Sequence, residues 1–311
     1  MNARDLPLIV GAAAWAAGLL VVPAPLAGRI LLLAPLVVVP RLISLLPRRD
    51  WVGRLTGWVP LAAALPLIVA FALPAGLVAA GLTVPSLAIA LIGAAAAVRH
   101  SVSQFVPNFH ATGMDDLGVD VALCFWAVGA GFVVVDRLGV DAGFAPAIVL
   151  LTATHFHFAG FGLLAIASVL AASRPWLRAG VGGLCVGIPV TAAGFVLVSN
   201  PINAVGALIV GTSGILVAGA LLAGAVAGSL GWLGRAAGIA LMIGMPMGIL
   251  WSMAILTGSA FIDLDTMVRT HGALNATAVL LVVIAYSGTG ERGVARSTPR
   301  HRVSPATAPR T

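Results

Sequence analysis

Two histidines set two residues apart, inside a long apolar run, are the side chains here best placed to do chemistry. They lie in residues 154–162, Thr-His-Phe-His-Phe-Ala-Gly-Phe-Gly. A polar group in an apolar environment is costly unless it is partnered, so His155 and His157 mark a candidate site. On a regular helix, side chains two apart point about 200° apart. The pair shares one site only if the helix is locally broken, which Gly160 and Gly162 would permit. Otherwise one faces a cavity and the other a neighbouring helix. Thr152 and Thr154 add hydroxyls beside them.

A second cluster opens the last apolar run. Asp265 and Arg269 are four apart and can pair across one turn. His271 and Asn275 are also four apart and share a face. His271 is the natural partner for His155 if their helices are neighbours, and Asp265–Arg269 would gate or brace such a site. A third region, 99–116, holds His100, Asn108, His110, Asp115 and Asp116 and reads as a cytoplasmic amphipathic loop. A fourth, 199–203, reads as a helix–helix turn with Asn203 as an N-cap.

The imidazoles allow two kinds of chemistry. His155, His157 and His271 together could hold zinc, copper or iron, or one of them could carry a proton near neutral pH. The Glu-x-x-His pairs of carboxylate-bridged di-iron sites do not occur in the sequence. Neither does a nucleophile elbow, a P-loop or a dinucleotide fingerprint. Cys124 and Cys185 both fall in apolar runs and read as small packing residues.

The elements that must position these groups are membrane helices. Of the 311 residues, 60% are hydrophobic and 9% charged. A soluble domain could not hide that much apolar surface. Ten apolar spans are expected, at about 6–22, 28–46, 58–75, 79–98, 119–135, 146–171, 176–198, 204–228, 233–257 and 266–287. Each is near the ~20 residues needed to cross the hydrocarbon core. The first run reads as a first span and not as a removed signal. This makes the chain an all-α polytopic membrane protein, with residues 1–289 as one transmembrane domain and 290–311 as a disordered basic tail.

The net charge of +7 does not indicate a nucleic-acid partner. Arg48, Arg49, Arg54, Arg99, Arg174, Arg178, Arg235 and the tail arginines fall on one side if the helices alternate. The positive-inside rule then places both termini in the cytoplasm, with the chain in the cytoplasmic membrane. Arg29 is the outward exception. Trp51, Trp58, Trp176 and Trp232 lie at span ends, as an interfacial belt requires. Pro35, Pro40, Pro66, Pro189 and Pro246 fall inside spans and predict kinks or breaks.

Three blocks carry a family resemblance: Leu33-Ala-Pro-Leu-Val-Val-Val-Pro40, His155-Phe-His-Phe-Ala-Gly-Phe161 and His271-Gly-Ala-Leu-Asn275. They resemble the YndJ-like bacterial integral membrane proteins over about residues 15–285. The His-Phe-His-Phe block is the most specific part. The resemblance implies the membrane class, with members sometimes labelled transporter-like, and it brings no catalytic residues.

Two functional readings follow. In the first, a transporter or small-ligand-binding protein uses an intramembrane site lined by His155, His157, His271, Asn275 and Thr154. A small neutral or lipid-like molecule, or an ion, would be its ligand. In the second, the histidines hold a transition metal in a membrane-embedded enzyme acting on a lipid or isoprenoid-like substrate.

Overall fold

A computed structural model describes residues 5–46, 56–105, 113–259 and 262–288. The arginine loop at 47–55, Asn108 and His110 in the third polar region, and the basic tail lie outside the described residues.

The described residues are helical, with no strands among them. Lipid offers no hydrogen-bond partner to a peptide group, so a backbone that crosses it must satisfy itself within each helix. Eleven helices follow in order. They are α1 (Leu6–Val21), α2 (Leu26–Leu45), α3 (Trp58–Ala72) and α4 (Leu77–Gly81). Then come α5 (Val84–Phe105), α6 (Met114–Leu138) and α7 (Pro146–Ala171). Last are α8 (Pro175–Val196), α9 (Asn200–Leu222), α10 (Gly231–Leu256) and α11 (Leu264–Ala285).

Among the described residues, eight of these are long and apolar enough to cross a membrane. α1 and α3 are apolar but shorter. The ten expected apolar runs therefore all form helix, and eight reach spanning length. The run expected at 79–98 is broken at Leu82–Thr83, and its long helix starts at Val84. The turn at 199–203 also differs from expectation. α9 begins at Asn200, so Asn203 lies inside its first turn, buried, with Nδ2 3.5 Å from the Thr191 carbonyl. Asn203 is a packing and lining residue, not a cap.

Consecutive helices pack side by side, with α8 on α9, α9 on α10, α10 on α11, α5 on α6 and α6 on α7. α2 is the most enclosed, with 83% of its apolar window buried. Alternation puts Arg99, Arg174, Arg178 and Arg235 at one end of the bundle, with exposed Trp58, Trp176 and Trp232. Asp136, Arg137, Asp141, Asp263 and Asp265 are at the other.

The prolines act in different ways. Pro66 divides α3 after Leu65. Pro35 lies in a π turn over Ala34–Val38, where its missing N–H leaves the ordinary ladder open. Pro189 and Pro246 sit in helices that continue past them without interruption. Two further π turns occur, at Phe156–Leu163 in α7 and Val268–Gly272 in α11. Each of the three π turns overlaps one of the three sequence blocks singled out above, the last only at His271 and Gly272. Such wide turns concentrate at functional sites, because they redirect side chains without ending the helix.

Candidate functional site

α7 carries His155 at the last position before its π turn and His157 within the turn. The helix is widened here, not broken, and the two rings diverge. His155 is exposed into a cavity of about 370 Å³. His157 is 1% exposed and faces α6. There α6 presents Gly129, where an added Cβ would stand 2.7 Å from Nδ1 of His157. A glycine at this point is what lets the imidazole fit against the α6 backbone.

Each ring is fixed by a backbone carbonyl. Nδ1 of His155 lies 2.9 Å from the Leu151 carbonyl oxygen, and Nδ1 of His157 lies 2.8 Å from that of Ala153. A carbonyl oxygen only accepts, so Nδ1 carries the hydrogen in both.

His271 reaches the cavity from α11. Its Nδ1 donates to the Gly244 carbonyl of α10 over 2.8 Å. The amide nitrogen of Asn275 lies 3.1 Å from Nδ1 and 3.3 Å from Nε2 of the same ring. Two glycines of α10 make room for this pair. A Cβ on Gly248 would meet the His271 ring at 2.7 Å, and one on Gly244 would meet Asn275 Oδ1 at 2.5 Å. The rings of His155 and His271 are 25° from parallel, with centroids 6.4 Å apart. The expected pairing of α7 with α11 through these two histidines is thus present in the geometry.

The cavity runs along the N-terminal halves of α7, α9 and α11 and the C-terminal halves of α8 and α10, and α2 and α6 close its side. Thr152, Thr154, Thr191, Asn203, Ser252 and Asn275 are among its polar lining residues, and most of the rest are apolar. Among the described residues, no Asp, Glu or Arg lines it. Past Leu163 the wall turns solid. Leu164, Ala165, Ile166 and Ala167 are 0–1% exposed, which packs the opposite end of α7 shut.

Other expected site residues fall elsewhere. His157 does not line the cavity. The proposed three-imidazole metal set is therefore reduced to two, because α7 turns His157 onto α6. Among the described residues, no three His, Cys, Asp or Glu side chains gather closely enough to hold a metal. Arg269 donates to Asp265 over 2.6 Å, as their four-residue spacing implies, but both side chains are about two-thirds exposed and neither lines the cavity. Asp263 caps the start of α11 by accepting the Thr266 N–H at 2.7 Å, which holds its carboxyl below the usual range.

Two buried polar clusters were not legible in the sequence. Asp120, inside α6 and 4% exposed, takes hydrogen bonds from His100 Nδ1 at 2.7 Å and Ser101 Oγ at 2.8 Å. Arg41, inside α2, pairs with Asp5 at 3.1 Å and donates to the Tyr286 carbonyl at 3.0 Å. A charge within an apolar run was the available signal in both cases, Asp120 alone in 119–135 and Arg41 well inside 28–46. Thr191 and Ser252 gave less, as lone hydroxyls in apolar helices.

Comparison with known proteins fits this picture. The model of the YndJ-like protein family matches residues 29–279. The chain belongs to the YndJ-like family. No curated protein and no solved structure matches it. The matched region contains all three π turns and the whole His155–His271 pair.

Proposed function

We propose that this YndJ-like membrane protein binds, and carries across or out of the bilayer, a small molecule held in the cavity between α7 and α11. The observation that carries the reading is the pairing of His155 and His271. They come from two helices far apart in sequence, and they face each other in a largely apolar cavity. The volume falls within the roughly 300–1,000 Å³ of small-molecule sites. A cavity confined to one half of the bundle, with α7 packed solid past Leu163, is the arrangement a one-sided access state would present. Thr154 and Asn275 complete the polar wall, His157 anchors α7, and Asp265–Arg269 is an exposed pair on the outer face of α11.

In this reading α1 and α3 also cross the membrane, giving ten spans. Both termini are cytoplasmic, and the cavity opens away from the arginine-rich side of a bacterial inner membrane. The metal-enzyme reading loses support, because His157 is turned away from the other two imidazoles.

Native mass spectrometry of the full-length protein tests the proposal. The wild type is expected to carry a bound molecule of discrete mass. Ala207→Trp, which fills the cavity, and His155→Ala should both lose it. A ligand retained by both variants, or a wild type with no ligand, would refute the proposal.

A further inference from the structure

We infer that the ligand of this cavity is a neutral, largely apolar molecule headed by a hydroxyl, held by a hydrogen bond from that hydroxyl to Nε2 of His155. This rests on the cavity being a ligand site, as proposed above, and names the chemical class of its occupant.

The first argument is charge. Among the described residues, the cavity is lined by no Asp, Glu or Arg, and its only titratable groups are imidazoles. A carboxylate or phosphate head would give up its hydration there without meeting a fixed cation, and an ammonium would meet no carboxylate. A neutral head avoids both costs.

The second argument is the direction of the hydrogen bonds. Nδ1 of His155 donates to the Leu151 carbonyl, so the neutral ring presents Nε2 as an acceptor. That nitrogen has no hydrogen-bond partner among the described residues, and the side chain is exposed to the cavity. The hydroxyls beside it are committed in the same sense. Thr152 Oγ1 donates to the Ile148 carbonyl at 2.7 Å and Thr154 Oγ1 to the Leu150 carbonyl at 2.9 Å, leaving oxygens that accept. Around His155 the wall therefore asks for a donor. A hydroxyl supplies one without carrying charge.

The third argument is the remaining surface. Phe132, Phe156, Phe158, Leu163 and Val279 line the cavity with apolar area suited to a hydrocarbon or isoprenoid body. Long-chain and isoprenoid alcohols combine the two features.

Trp251 lines the cavity and serves as a reporter. The full-length protein in lipid nanodiscs is titrated with brominated dodecanol, brominated dodecanoate and bromododecane, at about pH 8, where histidine is ordinarily neutral. Bromine quenches tryptophan, and the saturable quenching that Trp251→Phe removes measures binding in the cavity. Concentrations are expressed as mole fraction in the bilayer.

The alcohol is expected to bind at least about tenfold more tightly than the carboxylate. His155→Phe should weaken the alcohol by about five- to tenfold and leave the bromoalkane unchanged. Carboxylate binding equal to or tighter than alcohol binding would overturn the inference while leaving a ligand cavity in place. So would alcohol affinity unchanged in His155→Phe. No saturable quenching by any of the three would overturn the proposed function as well. The wild-type comparison of alcohol with carboxylate needs no variant to fold.

Discussion

His155 and His157 are the same side chain, two residues apart on one helix, each donating Nδ1 to the carbonyl four residues back. Their surroundings differ completely. One ring opens onto a cavity and a second imidazole; the other is sealed against a glycine of α6. The difference shows that histidine in a membrane helix is not by itself a site. What separates these two imidazoles is that one ring faces open space and the other a packed helix.

That contrast can be broken by substitution, and the effects should differ in kind. The largest stability effect is expected for His157→Ala, which leaves a hole between α6 and α7. It should cost about 2–4 kcal/mol in unfolding measured by denaturant titration in detergent. His155→Ala should change stability by less than about 0.5 kcal/mol while abolishing ligand retention. Equal stability losses in the two variants would erase the distinction.

Next in size is Gly129→Ala. Its new Cβ would press on His157 and should cost about 1–3 kcal/mol by the same measurement. Gly248→Ala presses on His271 instead. Its main expected effect is a loss of ligand affinity, read by the same native mass spectrometry, because His271 has the cavity to move into.

The smallest effect is expected at Asp265–Arg269, which is exposed and screened. Asp265→Asn should leave both the melting temperature and ligand retention unchanged. Asp263 sharpens this in its pH dependence. Its carboxyl is held low by the Thr266 N–H, so its capping is fully present above the ordinary carboxylate pKa and is lost as pH falls through the lower, folded value. Amide protection factors at the start of α11, taken relative to intrinsic exchange at each pH, should fall on acidification below about pH 4 and should hold steady in Asp263→Asn.

Much of this was legible in the sequence, because lipid imposes simple rules. Apolar runs must be helices, and all ten are. The two-residue spacing of His155 and His157 required separate faces on an unbroken helix, and the four-residue spacing of His271 and Asn275 required contact. Spacing identifies neighbours on a helix, however, and not the direction in which they face. The spacing of Asp265 and Arg269 implies their pair but does not say that it turns outward. The π turns were hidden because they need no distinctive residue in α7 or α11; only in α2 does a proline lie within one. Asp120 and Arg41 were missed because hydropathy averaged over a span absorbs one charge. Their partners, His100 and Asp5, come from other helices and are fixed by packing alone.

The central claim, that His155 faces a cavity and His157 does not, is tested most directly by carbethoxylation of histidine. The folded full-length protein is treated briefly with diethylpyrocarbonate, and the modified residues are located by peptide fragmentation. His155 should be modified while His157 stays unreacted until the protein is denatured. Modification of His157 at the rate of His155, or protection of both, would contradict the division of roles on which the proposed site depends.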